Sequence, residues 1–272
     1  MINKWLPALF LFIGLHCDAA SEIDEEAAYI YQRISTATSA ENESVSENLS
    51  ISGLKNSALS YGSQGGFYIT MKRILKYLEE QDVELIYDFK PLMIEHAGFV
   101  LLPAKVTIST GNTVITDTVA RQVAFIPKIQ SQPRFVSALP TWRDYFKLEL
   151  KPPVINRVSV LPNTDEEVGI WKNHVAKGWK IGEAQAYKIY ERRIARLTDD
   201  IKGYALYHVL KSKNMITEPQ FSSDFYAITG GGSSMSIDEV IVRVTVNPSL
   251  IGNRDLWETI PELPRFLRAG AD

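Results

Sequence analysis

The sequence has a single cysteine, Cys17, at the end of an apolar stretch near its N-terminus. One cysteine cannot form an intramolecular disulfide, so the fold has to be stabilised by a buried core. A lone cysteine in this segment also leaves no cysteine nucleophile in the rest of the chain. The chain has 272 residues, 45% of them hydrophobic, and a chain of this length and composition can build the required core.

Histidine is scarce as well. Beyond the N-terminal segment only His96, His174 and His208 occur, and no two of them lie one helical turn apart, as metalloprotease ligands do. No Gly-x-Ser-x-Gly elbow marks a serine nucleophile. The acid pairs Glu166–Glu167 and Asp199–Asp200 are more typical of helix caps and solvated faces than of acid–base catalysis, although spacing alone leaves a carboxylate-only glycosidase open. We therefore predict that the protein is not an enzyme and uses no metal or cofactor.

The chain also lacks a strong charge excess and a long apolar run. Its formal net charge is −3, which gives no sign of a surface built to bind nucleic acid directly. The apolar run from Trp5 to Leu15 is about half of the roughly 20 residues that a membrane-spanning helix needs. Lys4 precedes this run, and the small residues Ala19 and Ala20 follow it. The pattern predicts a secretory signal peptide over residues 1–20.

Composition divides the remaining chain into three regions. Residues 21–34 carry acids at their start and predict a short helix, and residues 35–52 are rich in Ser, Asn and Glu and predict a flexible linker. We therefore assign residues 21–52 to an N-terminal helix and linker. Residues 53–250 are predicted to form the folded domain, and the proline-containing residues 251–272 an irregular tail.

The folded domain begins with a glycine-rich stretch, GSQGG, at residues 62–66. A phosphate-binding loop needs a lysine and a Ser or Thr directly after its last glycine, whereas Phe67 and Tyr68 follow here. The stretch instead favours a tight turn or a close contact between a helix and another backbone. The apolar spacing after Phe67 predicts a helix.

The folded domain continues with a β-rich part and a long helical part. Residues 99–160 contain short β-branched runs separated by glycine, asparagine and proline, which predicts strands. Residues 163–213 carry apolar or small residues at steps of three and four, which predicts helix. Within residues 227–249, a Gly-Ser turn is followed by a strand. The predicted fold is α+β, with a long amphipathic C-terminal helical region packed with a small mixed or antiparallel sheet.

The ends of the helical region are well marked. Thr164 and Glu167 form a capping-box pattern, and Asn214 suits the closing position. Inside it, Gly178, Gly182 and Gly203 lower helix propensity. They indicate either close approach by another element or a break, and we favour at least one break.

Between the two parts lies LPTWRDY, residues 139–145, which combines a proline, two large aromatic residues and adjacent opposite charges. Together with GWxxGxxQA at residues 178–186, LSYGSQGG at 59–66 and TGGGSSM at 229–235, it resembles the DotC family. The resemblance covers about residues 55–250. That family includes DotC of Dot/Icm type IVB secretion systems and the TraI lipoprotein of IncI-type conjugative plasmids, and the short N-terminal extension looks more like the plasmid branch.

The resemblance implies a structural component of the outer-membrane core of a type IVB secretion or conjugative transfer apparatus. Its implied partners are a DotD-like lipoprotein (TraH) and a DotH-like core subunit (TraN), which the DotC-like and DotD-like proteins together bring to the outer membrane. The implied location is the periplasmic face of that membrane. The alternative from a different class is a periplasmic binding or cell-wall hydrolytic protein.

The resemblance also implies that LPTWRDY is not catalytic. Proline fixes its backbone, and aromatic residues supply large apolar area with a polar end. The candidate residues serve either as a joint of the fold or as a contact with another subunit. They are Pro140, Trp142, Arg143, Asp144, Tyr145 and, on the helical region, Trp179.

Members of the DotC family are typically lipoproteins, and Cys17 is the candidate lipidation site. His16 is large for the position before a lipidated cysteine, so two processing routes stay open: lipidation at Cys17, or ordinary cleavage after Ala19. Asp18 after the cysteine is a signal for inner-membrane retention in enteric bacteria. An outer-membrane position would then depend on binding other subunits.

Overall fold

The computed structural model describes residues 19–38, 47–110, 113–116, 118–122, 125–155 and 160–258. It is an α+β protein with a long helix in its C-terminal half and small antiparallel sheets, which confirms the predicted fold class. The chain forms two compact units. Among the described residues, the helical unit comprises residues 19–86 and 142–196, and the mixed unit comprises residues 87–141 and 197–258.

Five α-helices occur in the described part of the chain. They are α1 (Ala19–Ser35), α2 (Glu47–Glu80), α3 (Val83–Ile86), α4 (Trp142–Tyr145) and α5 (Asp165–Lys211). The predicted helix at 21–34 corresponds to α1. Because α2 begins at Glu47, residues 47–52 are helical rather than linker, and residues 39–46 lie outside the described residues. The glycine-rich stretch lies inside α2 rather than ahead of it.

The core of the helical unit lies between α1, α2 and the first part of α5. The apolar residues that face it recur at helical spacing, as in Ile23, Ile30 and Ile34 of α1. They pack against Leu54 and Ile69 of α2, and against the buried Trp171 and Val175 of α5. The indole Nε1 of Trp171 donates a hydrogen bond to the carbonyl oxygen of Ile34 at 2.8 Å, so its one polar group is satisfied inside the core.

Ion pairs between α1 and α2 show that these helices run antiparallel. Asp24 pairs with Arg73 at 2.5 Å, and two residues later Glu26 pairs with Lys72 at 2.5 Å and accepts a hydrogen bond from the Tyr68 hydroxyl at 3.0 Å. The hydrogen bond that the Lys72 ammonium donates to the Glu26 carboxylate raises the pKa of Lys72. Asp24 and Arg73 are exposed, and Glu26 and Lys72 are only half-buried, so these pairs orient the helices more than they stabilise the unit.

Helix α5 begins with the predicted capping box. The amide of Glu167 donates to Thr164 Oγ1 at 3.2 Å, and Glu167 Oε2 accepts from the amides of Thr164 and Asn163. At the other end, Asn214 adopts a left-handed conformation with a φ of 52°, and the amide of Met215 donates to the Leu210 carbonyl. Both predicted ends are confirmed.

The predicted break in α5 is wrong. The helix runs without interruption from Asp165 to Lys211, which is about 70 Å. Its internal glycines Gly178, Gly182 and Gly203 instead allow a neighbouring element to approach closely, which was the alternative interpretation. Within α5, the residues up to Arg196 belong to the helical unit and those from Leu197 on belong to the mixed unit.

The mixed unit holds the strands, all paired antiparallel. The described sheets have the orders β1-β2-β7, β3-β6, β4-β5 and β8-β9. The strands are β1 (Ile94–His96), β2 (Phe99–Leu102), β3 (Lys105–Thr110), β4 (Thr113–Ile115), β5 (Ala120–Gln122), β6 (Phe125–Ser131), β7 (Arg134–Val136), β8 (Gln220–Gly231) and β9 (Ser234–Val246). The sequence predicted a strand after the Gly-Ser turn, but the structure has one on each side of it.

The core of the mixed unit forms where the end of α5 packs against β3. Val106 of β3 meets Leu206, Tyr207 and Leu210 of α5. Nearby, Gly203 lies against the side chain of Lys105, which forms an ion pair with Asp200. Tyr207 is fully buried, and its hydroxyl has no hydrogen-bond partner among the described residues. Burial raises the pKa of Tyr207 to about 12.

Candidate functional site

The segment LPTWRDY is the place where the chain leaves the mixed unit, after Thr141, and enters the helical unit, at Trp142. Trp142 opens the short helix α4 and is only 2% exposed. Its ring meets that of Phe146 edge-on at 6.0 Å, and Phe146 in turn packs against Tyr190 of α5 at 6.1 Å. The aromatic residues therefore attach α4 to the helical unit by burial.

The two charged residues of the segment stay at the surface. Arg143 pairs with Glu84 of α3 at 2.5 Å, and its guanidinium lies 4.7 Å from the centre of the Trp142 ring. The side chains of this ion pair are 53% and 60% exposed, so the pair contributes little to stability. Asp144 is exposed as well. Within this one short helix, the tryptophan packs into the fold and the charged residues lie at the surface.

Tyr145 is held through its backbone. Its carbonyl oxygen accepts a hydrogen bond from Arg193 Nη1 of α5 at 2.5 Å, and the guanidinium of Arg196 lies 6.0 Å from its ring. The last carbonyls of a helix have no partner within the helix, so Arg193 satisfies a group that α4 leaves open. Arg193 could not be recognised from the sequence, since an arginine on a long helix carries no sign of the group it will bind.

Trp179 lies elsewhere in the helical unit. It is half-buried, its ring meets Tyr31 of α1 edge-on at 5.3 Å, and its Nε1 donates to Glu183 at 3.0 Å. A Cβ on Gly65 of α2 would come within 2.7 Å of this ring. Trp179 and Arg193 are roughly 20 Å apart along α5 at the rise of an α-helix. The predicted candidate residues therefore form two separate groups rather than one site.

Four glycines bring α2 and α5 into backbone contact. They are Gly62 and Gly66 on α2 and Gly178 and Gly182 on α5, each pair separated by one helical turn. A Cβ on any of them would overlap a carbonyl oxygen of the opposite helix, that of Val175, Trp179, Leu59 or Ser63 respectively. The contacts advance in the same direction along both helices, so α2 and α5 run parallel here. The close-contact interpretation of GSQGG is confirmed.

This geometry supports packing and recognition. In the described part of the chain no group of three or more His, Cys, Asp or Glu side chains is placed to hold a metal ion. His174 hydrogen-bonds the carbonyl of Ile170 within its own helix, and His208 that of Leu92. Among the described helices, none is both long and apolar enough to cross a membrane.

Strands β8 and β9 carry an exposed apolar surface that was not predicted from the sequence. Phe225, Ile228 and Ile237 are 72%, 64% and 66% exposed. Alternating apolar residues on both sides of the Gly-Ser turn were the available signal.

Comparison with known protein families matches residues 49–259 to the family described as type IV secretory system, conjugal DNA-protein transfer. The match covers well over half of the chain and includes residues of both units. No curated protein matches the chain. The chain therefore belongs to the TraI family of type IV secretory systems.

Proposed function

We propose that this protein is a structural component of the outer-membrane core of a type IVB secretion or conjugative transfer apparatus. In this role it acts with a DotD-like lipoprotein (TraH) to bring a DotH-like subunit (TraN) to the outer membrane. It works on the periplasmic face of that membrane and catalyses no reaction. The observation that carries the proposal is the family match over residues 49–259.

The residues around LPTWRDY support this role. A buried Trp142 and a backbone-anchored Tyr145 hold α4 in place, while Arg143 and Asp144 remain at the surface. Arginine beside aromatic residues is a common composition of binding hot spots. In the proposed role, Trp142 and Tyr145 fix the fold, and the exposed Arg143 and Asp144 of α4 contact another subunit.

The N-terminal segment supplies the proposed membrane attachment. Cys17 and the residues before it lie outside the described residues, and α1 begins at Ala19. We propose that Cys17 carries the lipid. The triacylated cysteine of a bacterial lipoprotein is a sufficient anchor, whereas a single acyl chain is not. With Asp18 next to it, final placement at the outer membrane then requires the other subunits.

The test is fractionation of a host that carries the apparatus, with and without the gene for this protein. Affinity purification of the tagged protein from outer-membrane extracts, followed by mass spectrometry, should recover the DotD-like and DotH-like subunits. The DotH-like subunit should leave the outer-membrane fraction when this protein is missing. A DotH-like subunit that stays in that fraction, or cell-wall hydrolysis by the purified protein, would contradict the proposal.

A further inference from the structure

Strands β8 and β9 form a long two-stranded ribbon, Gln220–Val246, in the mixed unit. Their pairing runs from Gln220 opposite Val246 to Gly231 opposite Ser234, and in the described part of the chain neither strand pairs with a further strand. At the rise of a β-strand the ribbon is about 40 Å long. No residue of either strand is buried.

The half of the ribbon near its turn is apolar and exposed. Ile228 and Ile237 lie directly opposite each other, on the same face as Tyr226 and Met235, whereas Phe225 lies on the other face, and all five are exposed. A two-stranded hairpin alone is at best marginally stable in water, and independent stability requires a third strand or packing against another element. Surface of this kind marks a place that another molecule covers.

The long edges of the ribbon point to a strand as that molecule. Each edge strand presents backbone N–H and C=O groups that its partner strand does not use. Proteins usually protect such edges with proline or lysine, and residues 220–246 contain neither. The ribbon is irregular at two places: Asp238 has a φ of 54°, and the register shifts between Gln220 and Phe221. An unprotected edge beside an apolar face is the arrangement to which an extended peptide adds as a new strand.

Charge further restricts what this strand can be. Between residues 225 and 242 the ribbon carries the acids Asp238 and Glu239 and no lysine or arginine. At its base, Asp224 and Arg243 pair with each other, so the only arginine of the ribbon is engaged. A second copy of the ribbon offers no unengaged lysine or arginine that could pair with these acids. In the hydrocarbon core of a lipid bilayer, the backbone groups at the open edges would lack hydrogen-bond partners.

We propose that the ribbon accepts, as a third strand, an extended segment of another protein subunit of the apparatus. That segment has alternating apolar residues, which cover Ile228 and Ile237, and a lysine or arginine that reaches Asp238 or Glu239. The inference rests on the proposed function, because it takes the partner to be another subunit of the apparatus.

The first test uses the full-length protein in cells that carry the apparatus, with a photo-crosslinking amino acid at Phe225 or Ile237. The control position is Ile181 on α5, which is similarly exposed at 55% but lies on a helix. The ribbon positions should crosslink to one other subunit, and mass spectrometry should map the adduct to an extended segment with alternating apolar residues and a basic residue. The control position should not give this adduct.

The second test measures binding of a synthetic peptide of the mapped segment to the purified protein. The double variant I228S/I237S should bind at least about tenfold more weakly, since truncating well-packed interface side chains has effects of this order. The double variant D238N/E239Q should weaken binding and reduce its salt dependence. Both variants should keep the melting temperature of the wild type, because the altered side chains are not buried.

Other outcomes would overturn the inference. These are an adduct with a second copy of this chain, ribbon-dependent flotation with phosphatidylethanolamine–phosphatidylglycerol vesicles, or no ribbon adduct at all. Co-purification of the DotD-like and DotH-like subunits is measured separately, because it tests the proposed function and not the inference about the ribbon. If those subunits co-purify while the ribbon gives no adduct, only this inference fails. If they do not, the proposed function fails first.

Discussion

Gly182 of α5 lies directly against the backbone carbonyl of Ser63 on α2, so that any Cβ at position 182 would overlap that oxygen. A glycine hydrogen that points at a carbonyl across a helix pair makes a weak Cα–H···O contact, which recurs where helices pack closely. Glycine is unfavourable inside an isolated helix by up to about 1 kcal/mol relative to alanine. In α5 this local cost is offset by close packing that no other residue permits.

The first prediction compares two glycines of the same helix. Gly182→Ala should destabilise the protein by about 1–3 kcal/mol or more, because the added methyl group forces the helices apart. Gly169→Ala should stabilise it by up to about 1 kcal/mol, since no atom lies within 4 Å of the new Cβ and alanine favours helix. Denaturant unfolding of the purified variants checks both. Equal effects of the two substitutions would show that the α2–α5 contact is looser than the structure has it.

The second prediction separates the roles of neighbouring residues in α4. Trp142→Ala should cost about 3–5 kcal/mol of stability, because it empties a buried aromatic site. Arg143→Ala removes an exposed ion pair and should change stability by less than about 1 kcal/mol.

Transfer activity of the apparatus then distinguishes fold joint from interface. If Arg143 contacts another subunit, Arg143→Ala lowers transfer while the melting temperature stays at the wild-type value. Normal transfer by this variant would leave LPTWRDY with a role in the fold alone. A Trp142→Ala protein as stable as wild type would contradict the buried position of the indole.

The third prediction concerns the Tyr207 hydroxyl. Tyr207→Phe should leave stability unchanged or raise it by about 1 kcal/mol, because a buried hydroxyl without a partner is removed. Tyr87→Phe is the matched change, and it should cost about 1 kcal/mol, since the Tyr87 hydroxyl shares a hydrogen bond with Thr198 at 3.1 Å. A loss of stability in Tyr207→Phe as large as in Tyr87→Phe would show that its hydroxyl has a partner.

The same residue predicts a dependence on alkaline pH. Burial raises the pKa of Tyr207 from 10.0 to about 12. Above about pH 10 the unfolded chain therefore loses this proton before the folded one does, and stability falls as pH rises toward 12. Urea unfolding between pH 9 and 12 should show a shallower decline for Tyr207→Phe than for wild type. Identical slopes would mean that Tyr207 does not contribute to the decline.

The fourth prediction tests the proposed lipid at Cys17. Cells that express the wild-type protein and are fed an alkyne palmitate analogue should yield a labelled product, and Cys17→Ser should yield none. N-terminal sequencing provides an independent reading. An unlabelled wild-type protein whose mature chain begins at Ala20 would show ordinary cleavage after Ala19, and attachment to the membrane would then depend on protein contacts.

Local features of this protein were determined by the sequence itself. The capping box of Thr164 and Glu167 and the left-handed Asn214 act within a few residues of their position, so their effect on α5 can be predicted without knowing the neighbours. The alternating and helical apolar patterns likewise determined the α+β class, because they report which face of each element is buried. The order of motifs along the chain pointed to the family.

The tertiary structure alone decided what the glycines and the exposed residues do. Gly178 and Gly182 could either break α5 or let α2 pack closely against it. The outcome depends on α2, which lies more than a hundred residues away in the chain, and helix propensity contains no information about such a distant element. The role of Arg193 likewise became evident only from the structure, in which its guanidinium donates to the Tyr145 carbonyl. The apolar residues of β8 and β9 match the pattern of buried strands, and only their position on an unpaired ribbon shows that they are exposed. Burial is a property of the assembled fold, whereas the sequence specifies only which surfaces gain from it.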